Sequence, residues 1–144
     1  MYALIKFPVL TLLLAILTSN VFAQEEEVVM AKDAEQHVGE FAMICGIIAE
    51  TTYDRTSKDK PTYLNFTKPF PHHNFTVIVW GDDRKNFAQK PESLESQQAC
   101  VYGKVELRRG RAQMTISIPD QISARPVPAA QQATEPQPGA AEEK

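Results

Sequence analysis

Three groups of side chains in this 144-residue chain could do chemistry together. Tyr53, Arg55, Lys58 and Lys60 crowd one polar stretch, Tyr63 and Asn65 follow in a short apolar segment, and Arg108, Arg109 and Arg111 surround Gly110. Aromatic faces stack on bases while cationic side chains follow phosphates, so this set has the composition of a surface for a single-stranded polyanion. The same charges also fit the solvated loops of any small domain, with Asp54 and Asp59 neutralising the first group. Little else points to catalysis. Adjacent histidines such as His72 and His73 seldom bind one metal through both rings, and no carboxylate stands at a supporting spacing, so a structural role and no metal site are expected. Asp82 and Asp83 resemble paired acids but stand where a helix cap is wanted. No Gly-x-Ser-x-Gly, His-Glu-x-x-His or phosphate-loop pattern occurs. The expectation is therefore a binding protein without enzymatic activity or cofactor.

The elements that must position these groups read as strands. From Val101 to Leu107 apolar residues alternate with Lys104, Glu106 and Arg108, and after the Gly110 turn Ala112, Met114, Ile116 and Ile118 alternate with Gln113, Thr115 and Ser117. Period-2 patterning of this kind predicts a β-hairpin with one face in a core. Upstream, Phe41 to Thr52 predicts a first strand, with a bulge or bend expected at Gly46. Thr62 to Phe66 predicts a second and Phe75 to Trp80 a third, separated by a connection in which Pro69 and Pro71 forbid regular pairing. Short helices are expected from Arg84 to Phe87, capped by Asp82 or Asp83, and from Glu92 to Gln98 behind Pro91.

The ends have a different composition. Residues 1–23 combine Lys6, an apolar run from Phe7 to Leu17 and a Val21-Phe22-Ala23 site, the pattern of a secretory signal cleaved after Ala23; its apolar run is short for a bilayer span. An uncleaved membrane anchor is the alternative. With cleavage no stable membrane span is expected, and the protein would be periplasmic or secreted. Residues 24–37 form an acidic segment with some helical spacing, 38–123 the folded domain, and 124–144 a Pro/Ala/Gln/Glu-rich tail expected to be disordered. The net charge of −3 owes much to Glu25, Glu26, Glu27, Glu135, Glu142 and Glu143, which leaves the middle near neutral. Composition alone thus gives no argument for nucleic acid. Cys45 and Cys100, an even pair in an exported chain, are expected to form a disulfide, with two buried free thiols as the alternative.

Three strands, a helical linker and two more strands make the order of an all-β fold with short helices, a five-stranded Greek-key barrel of the OB type. In that topology the first strand lies beside the fourth, which brings Cys45 towards Cys100. Cys100 shares the parity of Lys104, so the bridge would sit on the outer side or need a bulge.

The pieces Ile44-Cys45-Gly46-Ile47-Ile48, Pro61-Thr62-Tyr63-Leu64-Asn65-Phe66, Phe75 to Arg84 with Phe87, Cys100 to Leu107 with Arg109-Gly110, and Pro119-Asp120-Gln121-Ile122 resemble the small OB-fold nucleic-acid-binding-like domain of exported bacterial proteins. The resemblance covers about Val38 to Ile122. It implies nucleic-acid binding as a family label, with the motif positions mostly structural. An OB barrel takes its ligand on strands two and three, between the loops joining strands one to two and four to five. Tyr53, Arg55, Lys58, Lys60, Tyr63, Asn65, Arg108, Arg109 and Arg111 would then surround one ligand. The expected partner is single-stranded nucleic acid or another oligomeric ligand such as an oligosaccharide. The alternative is an envelope structural domain that docks a protein partner.

Overall fold

The structure, a computed structural model, describes residues 28–126. The expected signal peptide, residues 24–27 of the acidic segment and residues 127–144 of the tail lie outside the described residues. Eight strands form: β1 (Val28–Met30), β2 (Phe41–Tyr53), β3 (Thr62–Phe66), β4 (Phe75–Val79), β5 (Gln97–Lys104), β6 (Glu106–Arg108), β7 (Arg111–Thr115) and β8 (Ile122–Pro126). Their ladders run in the order β6-β7-β4-β3-β2-β5-β8, with β1 added beside β2. The pairs β1–β2 and β4–β7 are parallel and the rest antiparallel. The molecule is mostly β, and as a ladder path the sheet stays open.

Alternation does the building. Ile44, Ile48, Leu64, Phe66, Phe75, Val77, Val79, Val101 and Met114 from five strands, with Val105 and Ile116 just beyond strand ends, are buried in one core. Phe66 and Phe75 face each other across the β3–β4 ladder, edge to face with ring centroids 5.4 Å apart. Burial of a ring that size stabilises by about 1.5–3 kcal/mol. From β5 across Val105 into β6 burial alternates as far as Glu106: Val101, Gly103 and Val105 are buried while Tyr102, Lys104 and Glu106 are exposed. Val105 alone separates the two strands, the first pairing with β2 and the second with β7.

The first strand departs from expectation at its bulge. Ile48 pairs with Phe66 and Glu50 with Asn65, so Ala49 is the extra residue. Gly46 stays in register opposite Ala99. Its missing side chain serves a close approach instead: a methyl there would stand 2.8 Å from Ala31 Cβ and 3.2 Å from Phe66 Cδ1. Ala31–His37 is a 3₁₀ helix, and Ala31 and Ala34 are its buried residues.

Other boundaries shift for local reasons. The linker contains 3₁₀ turns at Arg84–Asn86 and Pro91–Leu94 rather than longer helices, and Asp83 caps the first without a side-chain hydrogen bond. Gln97 and Gln98 already belong to β5. Leu107 and Ile118, expected in the core, are 59% and 48% exposed. Leu107 stands on β6, the end strand of the ladder order, and stays exposed although its partner Ala112 is buried, while β7 ends at Thr115 before Ile118. Ala124, Arg125 and Pro126, assigned to the tail by composition, continue β8 against β5.

Cys45 and Cys100 are bonded, and their Cα atoms are direct cross-strand partners 4.0 Å apart. Cys100 keeps the outward parity of Lys104: it stands between the buried Ala99 and Val101, and the bridge lies on the outer side of the β2–β5 ladder.

Candidate functional site

The bulge at Ala49 decides which side chains share a surface. Beyond it Glu50 pairs with Asn65 and Thr52 with Tyr63, so these four point outward from β2 and β3. Thr76 and Ile78 of β4, with Arg111 and Gln113 of β7, continue that outer face by strand alternation. A cleft of about 630 Å³ lies over it, rimmed by Arg108, Arg109, Ser57, Asp59, Phe70, His73 and Trp80.

Five of the nine residues singled out from the sequence line this cleft: Tyr63, Asn65, Arg108, Arg109 and Arg111. The other four lie elsewhere. The bulge turns Tyr53 to the side of its buried partner Thr62, where the Arg84 guanidinium sits 3.7 Å from its ring centroid. Arg84 in turn donates to both carboxylate oxygens of Glu92, at 3.0 and 2.9 Å, and to Thr62 Oγ1. Burial pushes the Glu92 carboxyl up, but hydrogen bonding and charge from Arg84, with Lys90 adding, hold it below the usual carboxylate range. Tyr53 therefore belongs to a structural cluster at the end of the core. Arg55 is exposed on Tyr53's side, 5.4 Å from that ring. Lys58 and Lys60 line an adjoining depression with Tyr53 and Asp82, which shares Asp59 and Trp80 with the cleft rim. The loop carrying them is set by Asp54, which accepts hydrogen bonds from Thr56 Oγ1 at 2.7 Å, Thr56 N at 2.9 Å and Ser57 N at 3.1 Å. Those donors keep its carboxyl below its ordinary range.

Within the cleft, Asn65 is held rather than free. Its Nδ2 donates to Glu50 Oε2 at 2.8 Å, and its Oδ1 accepts from Thr76 Oγ1 at 3.0 Å. The same Glu50 oxygen accepts the backbone N–H of Phe70 at 2.9 Å. These bonds, from Phe70 first and Asn65 second, hold the Glu50 carboxyl below its usual range and outweigh the opposing effect of burial. Arg111 Nη1 donates to the carbonyl of His73 at 2.6 Å. Glu50 and Arg111 thus tie down two points of the Pro-rich connection between β3 and β4.

His73 is 7% exposed, and its Nδ1 is a buried nitrogen without a hydrogen-bond partner among the described residues. Burial pushes its pKa down and the nearby Arg111 charge adds to that, while Glu50 opposes. Its ring stacks on Phe70, centroids 5.8 Å apart and planes 26° from parallel. Phe70 itself is 70% exposed. Among the described residues the Lys or Arg ion pairs are Lys32–Asp33 and Arg84–Glu92, so Arg108 and Arg109 carry no ion-paired carboxylate there. The cleft's charge is therefore two free guanidiniums on a hairpin turn, a third guanidinium spent on the loop, and two carboxylates of which Glu50 is already bonded.

Sequence reasoning passed over Glu50, Phe70, His73 and Trp80 as parts of this surface. Phe70 alone left a signal, an aromatic between two prolines in a stretch that cannot join the sheet.

No family model matches the chain, and no curated protein matches it. Among solved structures it is similar to a chain described as an aspartyl-tRNA synthetase from Leishmania major Friedlin, with a TM-score of 0.45 and 6% identity over 73% of this chain. The alignment spans 22% of that chain.

Proposed function

We propose that this is an exported, non-catalytic binding module of the OB type that holds single-stranded nucleic acid across the outer face of β3 and β4. In this reading β2, β3, β4, the continuous β5 with β6, and β7 are the five strands of a Greek-key barrel. The alternation unbroken across Val105 supports it, because one strand pairing with both β2 and β7 is what would close such a barrel. The resemblance to the OB domain of exported bacterial proteins points the same way. Export, to the periplasm or beyond, is supported by the signal-like residues 1–23 and by the Cys45–Cys100 disulfide, which persists in oxidising compartments.

The observation that carries the function is the meeting of Arg108 and Arg109 with Tyr63 and Trp80 around one cleft on that face. Guanidiniums along a backbone and aromatic rings under bases suffice for a single strand without sequence readout. The test is titration of a labelled oligothymidylate at several salt concentrations, with wild type and the Arg108→Ala/Arg109→Ala double variant. Arg111 is left intact because it anchors His73. The wild type should bind more weakly as salt rises, and the double variant should reduce the log–log slope by about 1.4, near 0.7 for each phosphate no longer neutralised. Binding that is absent at low salt, or indifferent to both arginines, overturns the reading.

A further inference from the structure

Phe70 presents most of its ring to solvent from a loop fastened on both sides. Its own N–H is held by Glu50, and three residues later Arg111 holds the carbonyl of His73. Between them the His72 N–H donates to the Pro69 carbonyl at 2.9 Å. These are backbone attachments that almost any residue at position 70 could make, so they do not explain a phenylalanine. Nor does the core explain it, since Phe70 is no part of the buried cluster. What the ring does have is support beneath it, the stacked and buried His73, and a place on the rim of the cleft.

We infer that Phe70 is a preformed stacking platform for a base of the strand lying in the cleft, with His73 as the positioning residue that backs the ring. Aromatic rings make sequence-tolerant platforms because every base has a π face. A platform already fixed before binding also loses little conformational freedom when the ligand arrives. Arg108 and Arg109 would follow phosphates while Phe70 takes a base, so the cleft would recognise nucleotides by ring and charge together. This inference rests on the nucleic-acid reading above.

Two labelled probes separate the contributions: an oligothymidylate, and an abasic phosphodiester strand of equal length. Wild type should bind the oligothymidylate more tightly than the abasic strand. Phe70→Ala should weaken oligothymidylate binding by at least about fivefold, the lower end of one base–aromatic stack, and leave abasic binding unchanged. Phe70→Tyr should restore it. Thermal unfolding checks that the variants remain folded, and Trp80, the single tryptophan, reports occupancy of the cleft. Equal oligothymidylate binding by wild type and Phe70→Ala overturns the platform while leaving nucleic-acid binding intact. So does equal loss on both strands, which would mark Phe70 as merely holding the loop. Failure of the wild type to bind either strand at low salt removes the nucleic-acid reading and this inference with it.

Discussion

The sheet shows two outer faces with opposite chemistry. Over β1, the first half of β2 and β5, the face carries Val28, Met30, Phe41, Ile47 and Tyr102, all exposed, and the Cys45–Cys100 bridge runs through its middle. Over the far half of β2, β3, β4 and β7, the face carries Glu50, Tyr63, Asn65, Thr76 and Arg111, most of them hydrogen-bonded, under a cleft. One extra residue, Ala49, separates the two on β2. Before it, odd-numbered residues point outward; after it, even-numbered ones do. The first face is tied covalently and, among the described residues, has no side-chain hydrogen-bond network. The second holds a loop in place with one exposed and one half-buried polar bond that leave two guanidiniums and a phenyl ring unspent. If the cleft binds a strand as proposed, stability and ligand chemistry fall on different surfaces and are separable by substitution.

The bridge offers the largest test. Cys45→Ala with Cys100→Ala opens a loop with a sequence separation of 55. The chain-entropy account puts the loss near about 4 kcal/mol as an upper figure, a large part of the stability of a domain this small. Denaturant unfolding should show a lower midpoint, while strand affinity, measured where the variant is folded, should stay at the wild-type value. A parallel loss of affinity would mean the two faces are coupled.

Acid should act on the cleft face in two steps. The folded His73 has a depressed pKa, from burial and then Arg111, so below its ordinary 6.5 the unfolded chain takes up a proton that the folded one resists. Stability present above 6.5 is lost as pH falls. Glu50 is depressed as well, through its bonds from Phe70 and Asn65; its contribution is present above 4.5 and lost as pH falls further, through its folded value. Denaturant stability measured across this range should decline in both windows. In His73→Gln the upper step should vanish and the lower one remain. An unchanged upper step would show that His73 is not the titrating group.

The difference between the faces also explains what could be read from the sequence. The hairpin and the three upstream strands follow from alternation and strand order, which are local and regular, and the disulfide from an even cysteine pair, whose parity left an outer position or a bulge open. The bulge was not legible, because nothing in Ile48-Ala49-Glu50 marks one residue for exclusion, while Gly46 looked like the natural place for it. That single register shift moved Tyr53 off the cleft and put Glu50 into it. Leu107 differs for a related reason: alternation does not mark β6 as the end strand of the ladder order, where Leu107 is exposed although its partner Ala112 is buried. Phe70 and His73 lie in an irregular connection, where only tertiary contacts set the direction of a side chain.

The smallest effect is expected at the hairpin turn, where the two demands meet in one residue. Arg109 and Gly110 form the two-residue connection between the paired Arg108 and Arg111, and both have positive φ, 52° and 77°. Such turns favour Asn followed by Gly, because in the left-handed region Cβ crowds the following carbonyl oxygen, a cost that Gly escapes and that Asn offsets with a local hydrogen bond. Arginine is thus a poor turn residue kept at the cleft rim. Arg109→Asn should raise stability by up to about 1 kcal/mol while lowering strand affinity and reducing the salt slope by about 0.7. The two measurements should move in opposite directions. Higher stability with unchanged affinity would leave Arg108 as the only cation of this turn in contact with a phosphate, and unchanged stability would show that the ribbon relaxes around the arginine; opposed changes are the outcome that a turn serving the ligand at the expense of the fold requires.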